Sequence, residues 1–134
     1  YVLAVIERFV STANKLKDKG INTIAIMPND TANYPADSYE NMIDFAQKYA
    51  FKFPYLIDET QDIAKAYGAI CTPDIFGIDS DGLIQYRGRL DSAGKGDADG
   101  ETVPELYNAM LEIADNKDIS AQQFPSMGCS IKWK

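Results

Sequence analysis

Across residues 1–19 the apolar positions Val2, Val5, Ile6, Phe9, Val10 and Ala13 recur at the spacing of one helical face. Lys15, Lys17 and Lys19 suit the negative end of that helix's dipole, and Gly20 suits its cap. Residues 21–27 are short, β-branched and apolar, which predicts a buried strand. A loop rich in Asn, Asp and Pro follows over residues 28–35. Asp37, with Glu40 after it, reads as a capping box for a helix whose inner face is Met42, Phe45, Ala46 and Tyr49.

Residues 53–57 predict a short edge strand, because Pro54 fits a central one poorly. Thr60 then opens a brief helix with Ile63, Ala64 and Tyr67 inward, stopped by Gly68. Residues 75–78 and 83–87 are strand-like and are joined by Asp79, Ser80, Asp81 and Gly82, the signature of a β-hairpin. The polar, glycine-rich residues 91–101 read as a surface loop. Thr102, Pro104 and Glu105 supply the cap, early proline and acid of a last helix that buries Leu106, Met110 and Ile113. From Asn116 the tail reads as irregular.

This order predicts one α/β domain over residues 1–134: a mixed sheet ending in an antiparallel hairpin, with helices on both faces. That is the C-terminal two thirds of a thioredoxin-like fold. Its strand ahead of the first helix has no counterpart here, and buried strand amides need partners. The chain opens on Tyr1, already in a helical pattern. The expectation is therefore a domain incomplete at its N-terminus, with the first strand supplied from upstream.

Composition narrows the chemistry. The chain has 134 residues, 46% of them hydrophobic and 25% charged, ordinary for a globular domain. No apolar run approaches the roughly 20 residues of a membrane span, so no membrane partner is expected. A net charge of −7 argues against nucleic acid, whose phosphates call for clustered Lys and Arg. Histidine is absent, which removes histidine bases, His-containing triads and His-rich zinc sites. Two cysteines remain, Cys71 and Cys129. Asp79-Ser80-Asp81-Gly82 and Asp97-Ala98-Asp99-Gly100 look like calcium-loop openings but lack the later ligands, so turn chemistry explains them better.

Several ordered stretches carry a family likeness. They are Phe53-Pro54-Tyr55-Leu56-Ile57-Asp58-Glu59-Thr60-Gln61, Ala66-Tyr67-Gly68-Ala69, Cys71-Thr72-Pro73-Asp74-Ile75-Phe76-Gly77, Tyr86-Arg87-Gly88-Arg89-Leu90-Asp91 and Gly128-Cys129-Ser130-Ile131-Lys132-Trp133-Lys134. Together they resemble the peroxiredoxin-like branch of the redoxin (alkyl hydroperoxide reductase/thiol-specific antioxidant) family. In that branch a Cys-x-x-Cys-Pro-like turn enters the first helix, and Tyr1-Val2 match the residues directly after it. The resemblance thus implies a redox site just upstream of Tyr1, where the helix dipole favours a thiolate.

It further implies a thiol–disulfide oxidoreductase or weak thiol peroxidase in the bacterial cytoplasm. No metal, flavin or nucleotide cofactor is implied. The implied partners are a thiol reductant such as a thioredoxin and a disulfide-containing protein or peroxide. Thr72-Pro73 matches the cis-proline position of the fold, with Thr72 presenting backbone to substrate and Pro73 shaping the groove; the plain alternative is a trans proline opening a strand. Cys71 reads as an auxiliary or resolving thiol, or as a small buried hydrophobe. Cys129 reads as a mobile resolving thiol, as a staple to Cys71, or as a free thiol in a packed tail. Arg87 and Arg89 offer an anion site, although a solvated strand face is the simpler reading. Where a peroxiredoxin carries an arginine ahead of the hairpin, this chain has Cys71-Thr72-Pro73-Asp74, which favours disulfide exchange over peroxide reduction. A non-catalytic module that binds extended peptide beside Pro73 is the rival reading.

Overall fold

The opening amphipathic stripe forms helix α1 (Val2–Asp18) in the computed structural model, which describes Tyr1–Lys134. Its buried side is Val5, Ile6, Val10, Ala13 and Leu16. Gly20 ends it at φ +80°, a left-handed conformation that glycine adopts freely. There the Gly20 amide donates to Lys17 and the Ile21 amide to Leu16, satisfying the last helical carbonyls.

Strand β1 (Ala25–Met27) is shorter than the pattern predicts and is half exposed rather than buried, with Ile24 and Ile26 open to solvent. It pairs with one neighbour, the parallel β2 (Tyr55–Ile57), in the register Ala25↔Tyr55. A strand flanked on one side only cannot be covered as a central strand is. Phe51 stacks on Phe53 at 4.6 Å, and Phe45 packs on Phe51, closing the space between β2 and helix α2 (Tyr39–Lys48).

The helix starts differ in part from expectation. A 3-10 turn, Pro35–Asp37, moves the cap of α2 from Asp37 to Ser38, whose Oγ accepts from the Asn41 amide at 3.3 Å. Helix α3 (Asp62–Tyr67) has its start held by two side chains: Thr60 Oγ1 accepts from the Asp62 amide at 3.4 Å, as expected, and Asp58, further back, accepts from the Ile63 and Ala64 amides. Only Ala64 of its expected inner face is buried; Ile63 and Tyr67 are exposed because the helix is short and lies at the rim. Helix α4 (Glu105–Ala114) has no side-chain cap, since Thr102 turns back to Asp99 and Glu105 is taken by Arg89.

Between α3 and α4 lie β3 (Cys71–Thr72), β4 (Ile75–Ile78) and β5 (Ile84–Gly88). The last two make the predicted antiparallel hairpin, its turn held by Asp79, which accepts from the Asp81 and Leu83 amides and from Gln85. These hydrogen bonds hold the Asp79 carboxyl below its usual range. The core sits under this hairpin, where Val5, Leu16, Tyr86, Leu90, Leu106, Ala109 and Met110 pack together. Tyr86 is 1% exposed, and its hydroxyl donates to the Arg89 carbonyl at 2.6 Å. Burial first, then the charge of Glu105, pushes that hydroxyl up to about 12.

The tail is not wholly irregular. Strand β6 (Cys129–Ser130) returns to pair with β3, so six strands form three separate two-stranded ladders. No helix is long and apolar enough to cross a membrane.

Candidate functional site

Antiparallel pairing sets Cys71 opposite Ser130 and Thr72 opposite Cys129. Cross-strand partners share a face of the ladder, so the two thiols point to opposite faces. Both are free. A direct Cys71–Cys129 bridge would require the tail to turn over, because disulfide geometry fixes how far apart the Cβ atoms can lie. The Thr72–Pro73 peptide is cis.

Cys71 is buried at 8% exposure, and its Sγ lies 3.5 Å from the Pro73 carbonyl. Burial pushes its thiol up, and the neighbouring Asp74 carboxylate adds to that. Asp74 is itself a brace. One of its oxygens accepts from the Ile70 amide at 3.2 Å and from Arg87 at 3.0 Å, while the other is buried without a partner. Arg87 also donates to the Gly68 carbonyl and lies over the Phe76 ring. The loop that carries Cys71 and Pro73 is thereby tied to the hairpin.

Both arginines are paired with carboxylates, Arg87 with Asp74 and Arg89 with Glu105. Arg89 forms a two-pronged pair with Glu105 at 2.7 and 2.6 Å and stacks on Phe124 at 4.2 Å. This pairing raises the Arg89 guanidinium further above its ordinary value.

Cys129 differs in every respect. It is exposed, and its Sγ lies 3.7 Å from the Tyr1 backbone nitrogen at the start of α1. That helix has no acidic residue in its first turn, and its positive dipole end faces the sulfur. Beside it is an open cavity of about 400 Å³ lined by Tyr1, Ile70, Cys71, Met127 and Ser130 among others. A narrower cleft joins Tyr1 to Pro73, Met127 and Arg89. The predicted site residues Cys71, Thr72, Pro73 and Cys129 therefore meet at one end of the molecule, against Tyr1.

Other contributors escaped the sequence reading. Gly128 runs so close to Thr72 and Pro73 that a Cβ there would collide with the Thr72 carbonyl. Asn29 and Gln61 reach across to the backbone of Lys132. Gln61 and Gly128 fall within the stretches that carry the family likeness, but their contacts depend on where the tail lies.

A cis-proline strand end, free thiols and the start of a long helix, set in a mixed α/β frame, define a thioredoxin-like redoxin. The chain belongs to the Redoxin family, which residues 2–109 match. It is 37% identical over 71 residues to the thiol-disulfide oxidoreductases ResA of Bacillus thuringiensis subsp. konkukian and Bacillus cereus. That match takes in 52% of this chain and spans 36% of each relative's length. Over its full length the fold matches an uncharacterized conserved protein from Geobacillus kaustophilus, with TM-score 0.93, 41% identity and 71% of that chain covered. A hypothetical protein from Sinorhizobium meliloti matches equally in TM-score, 0.93, at 35% identity and 73% of its chain.

Proposed function

We propose that the intact protein is a thiol–disulfide oxidoreductase whose main cysteines lie in the polypeptide leading into Tyr1. The observation that carries this reading is the convergence of Cys129 and Pro73 on the start of α1. The name of the ResA relatives supports the same chemistry. In this reading an upstream thiolate attacks one sulfur of a substrate disulfide, forming a mixed disulfide and releasing the first substrate thiolate. A second protein thiol attacks the enzyme's sulfur, releasing the substrate's other thiol and leaving a protein disulfide. A dithiol reductant such as a thioredoxin returns the two electrons.

The two cysteines in the chain then take different parts. Cys129 is an auxiliary thiol within reach of the helix start. Cys71 is a structural one, since the thiolate is the nucleophile and burial beside Asp74 disfavours it. Thr72 offers backbone to the substrate and Pro73 shapes the groove. Peroxide reduction is the weaker activity, because Cys71-Thr72-Pro73-Asp74 stands where a peroxiredoxin carries an arginine ahead of the hairpin.

Insulin reduction and peroxide consumption by the full-length protein test the proposal. Disulfide reduction should dominate. Inactivity in both assays would leave a peptide-binding module as the better reading, as would an upstream sequence without cysteine in its last few positions.

A further inference from the structure

We propose that Gln61, assisted by Asn29, is a positioning residue that holds Cys129 at the entrance of α1. This rests on the auxiliary role given to Cys129 above. Lys132 and Lys134 are bound through their backbone by side chains whose places are set far away in the sequence. The Gln61 amide donates to the Pro28 and Lys132 carbonyls, each at 2.9 Å, and its oxygen accepts from the Lys134 amide at 3.1 Å. Asn29 accepts from the Lys132 amide at 2.9 Å, and the Asp30 amide donates to the Lys132 carbonyl at 2.8 Å. A reversed Gln61 amide would set its oxygen against two carbonyls, so the network fixes its orientation.

The backbone makes the same point. Gln61 is 2% exposed and sits at φ +66°, a left-handed conformation where glycine is the easy choice. The side chain found there uses both ends of its amide on the tail. On the other side of Cys129, Gly128 lies against Thr72 and Pro73 with no room for a Cβ. Ile131, two residues after Cys129, is 4% exposed. The polypeptide is thus anchored before and after Cys129 while Cys129 and Ser130 stay open. Such an arrangement fixes where a sulfur is without covering it, and placement is what an exchange between neighbouring thiols needs.

The chain's single tryptophan, Trp133, stands between the two clamped residues Lys132 and Lys134; its ring is 43% exposed with Lys65 over it, and it reports on the clamp. In the full-length protein, Gln61→Gly removes the side chain while easing the backbone, so folding is preserved; Asn29→Ala is the second variant. Both should red-shift Trp133 emission and increase its quenching by acrylamide, with unchanged far-ultraviolet dichroism. Both should slow insulin reduction, Gln61→Gly by about tenfold, matching Cys129→Ser. The double variant Gln61→Gly/Cys129→Ser should lose no more than either alone.

Unchanged Trp133 emission in both variants would overturn the clamp whatever the chemistry. A freed Trp133 with a wild-type exchange rate, while Cys129→Ser is slow, would overturn positioning and leave the proposed function standing. A wild-type rate in Cys129→Ser would remove the role of Cys129 itself, and the positioning inference with it.

Discussion

The hairpin end and the tail end of this molecule are held by opposite means. Around β4, β5 and α4 the grip is apolar: Tyr86, Leu106 and Ala109 are each nearly sealed from water, and Met110 fills the space under Gly77. At the tail the grip is polar and falls on the backbone, through Asn29, Asp30 and Gln61. Apolar packing is non-directional and tolerates repacking, whereas hydrogen bonds to a fixed backbone specify position. The end that needs bulk stability has the first. The end that carries an exposed thiol has the second.

Substitutions can separate the two. Leu106→Ala should cost the most, about 2–5 kcal/mol by denaturant unfolding, while native Trp133 emission stays as it was. Equal loss of the Trp133 signal in the folded state would show the ends to be one packing unit. Gly128→Ala should act in reverse. Its methyl must push the tail off Thr72, costing about 1–3 kcal/mol, with Trp133 emission changing before the global transition.

A smaller effect is expected at Asp58, which is 5% exposed and joins the regions by capping α3 beside Gln61. Asp58→Ala should cost about 1 kcal/mol, the ordinary worth of a helix cap. Chemical denaturation at neutral pH checks it, and no loss would mean water replaces the carboxylate.

The smallest effect is a pH dependence from Cys71, whose folded thiol is raised by burial. Below about pH 8.5, the ordinary thiol value, both folded and unfolded thiols are protonated and the stabilisation is complete. As pH rises further the unfolded chain ionises first, so stability falls until the folded thiol ionises too. Melting temperatures at stepped alkaline pH should show this decline, and Cys71→Ser should remove that component. An equal slope in the variant would refute the assignment.

How much of this was legible in the sequence follows the same division. The stripe of α1, the Asp79–Gly82 turn and the apolar run of α4 announce themselves, because periodicity records burial. Gly68 and Gly20 end their helices where read, and Thr72-Pro73 is cis. Helix starts are less legible, because a neighbouring acceptor can replace the expected one, as Ser38 does Asp37, or join it, as Asp58 does Thr60. Residues 21–27 were overread because an apolar run does not state how many neighbours its strand will have. The resemblance pointed to the cis-proline at Pro73 and left the place of Cys129 open; the geometry brings Cys129 beside Thr72 and divides the two thiols. The clamp was invisible, since Asn29 and Gln61 are ordinary loop residues until a tail lies across them.

The division of the sheet into three ladders has a mechanical consequence. Residues 129–134 make hydrogen bonds to Tyr1, Ile70, Thr72, Asn29, Asp30, Glu59 and Gln61, and none to β4 or β5. Amide protons of the tail ladder can therefore exchange with solvent through a local opening that leaves the hairpin's protons protected. The molecule can let go of its own end without loosening its centre.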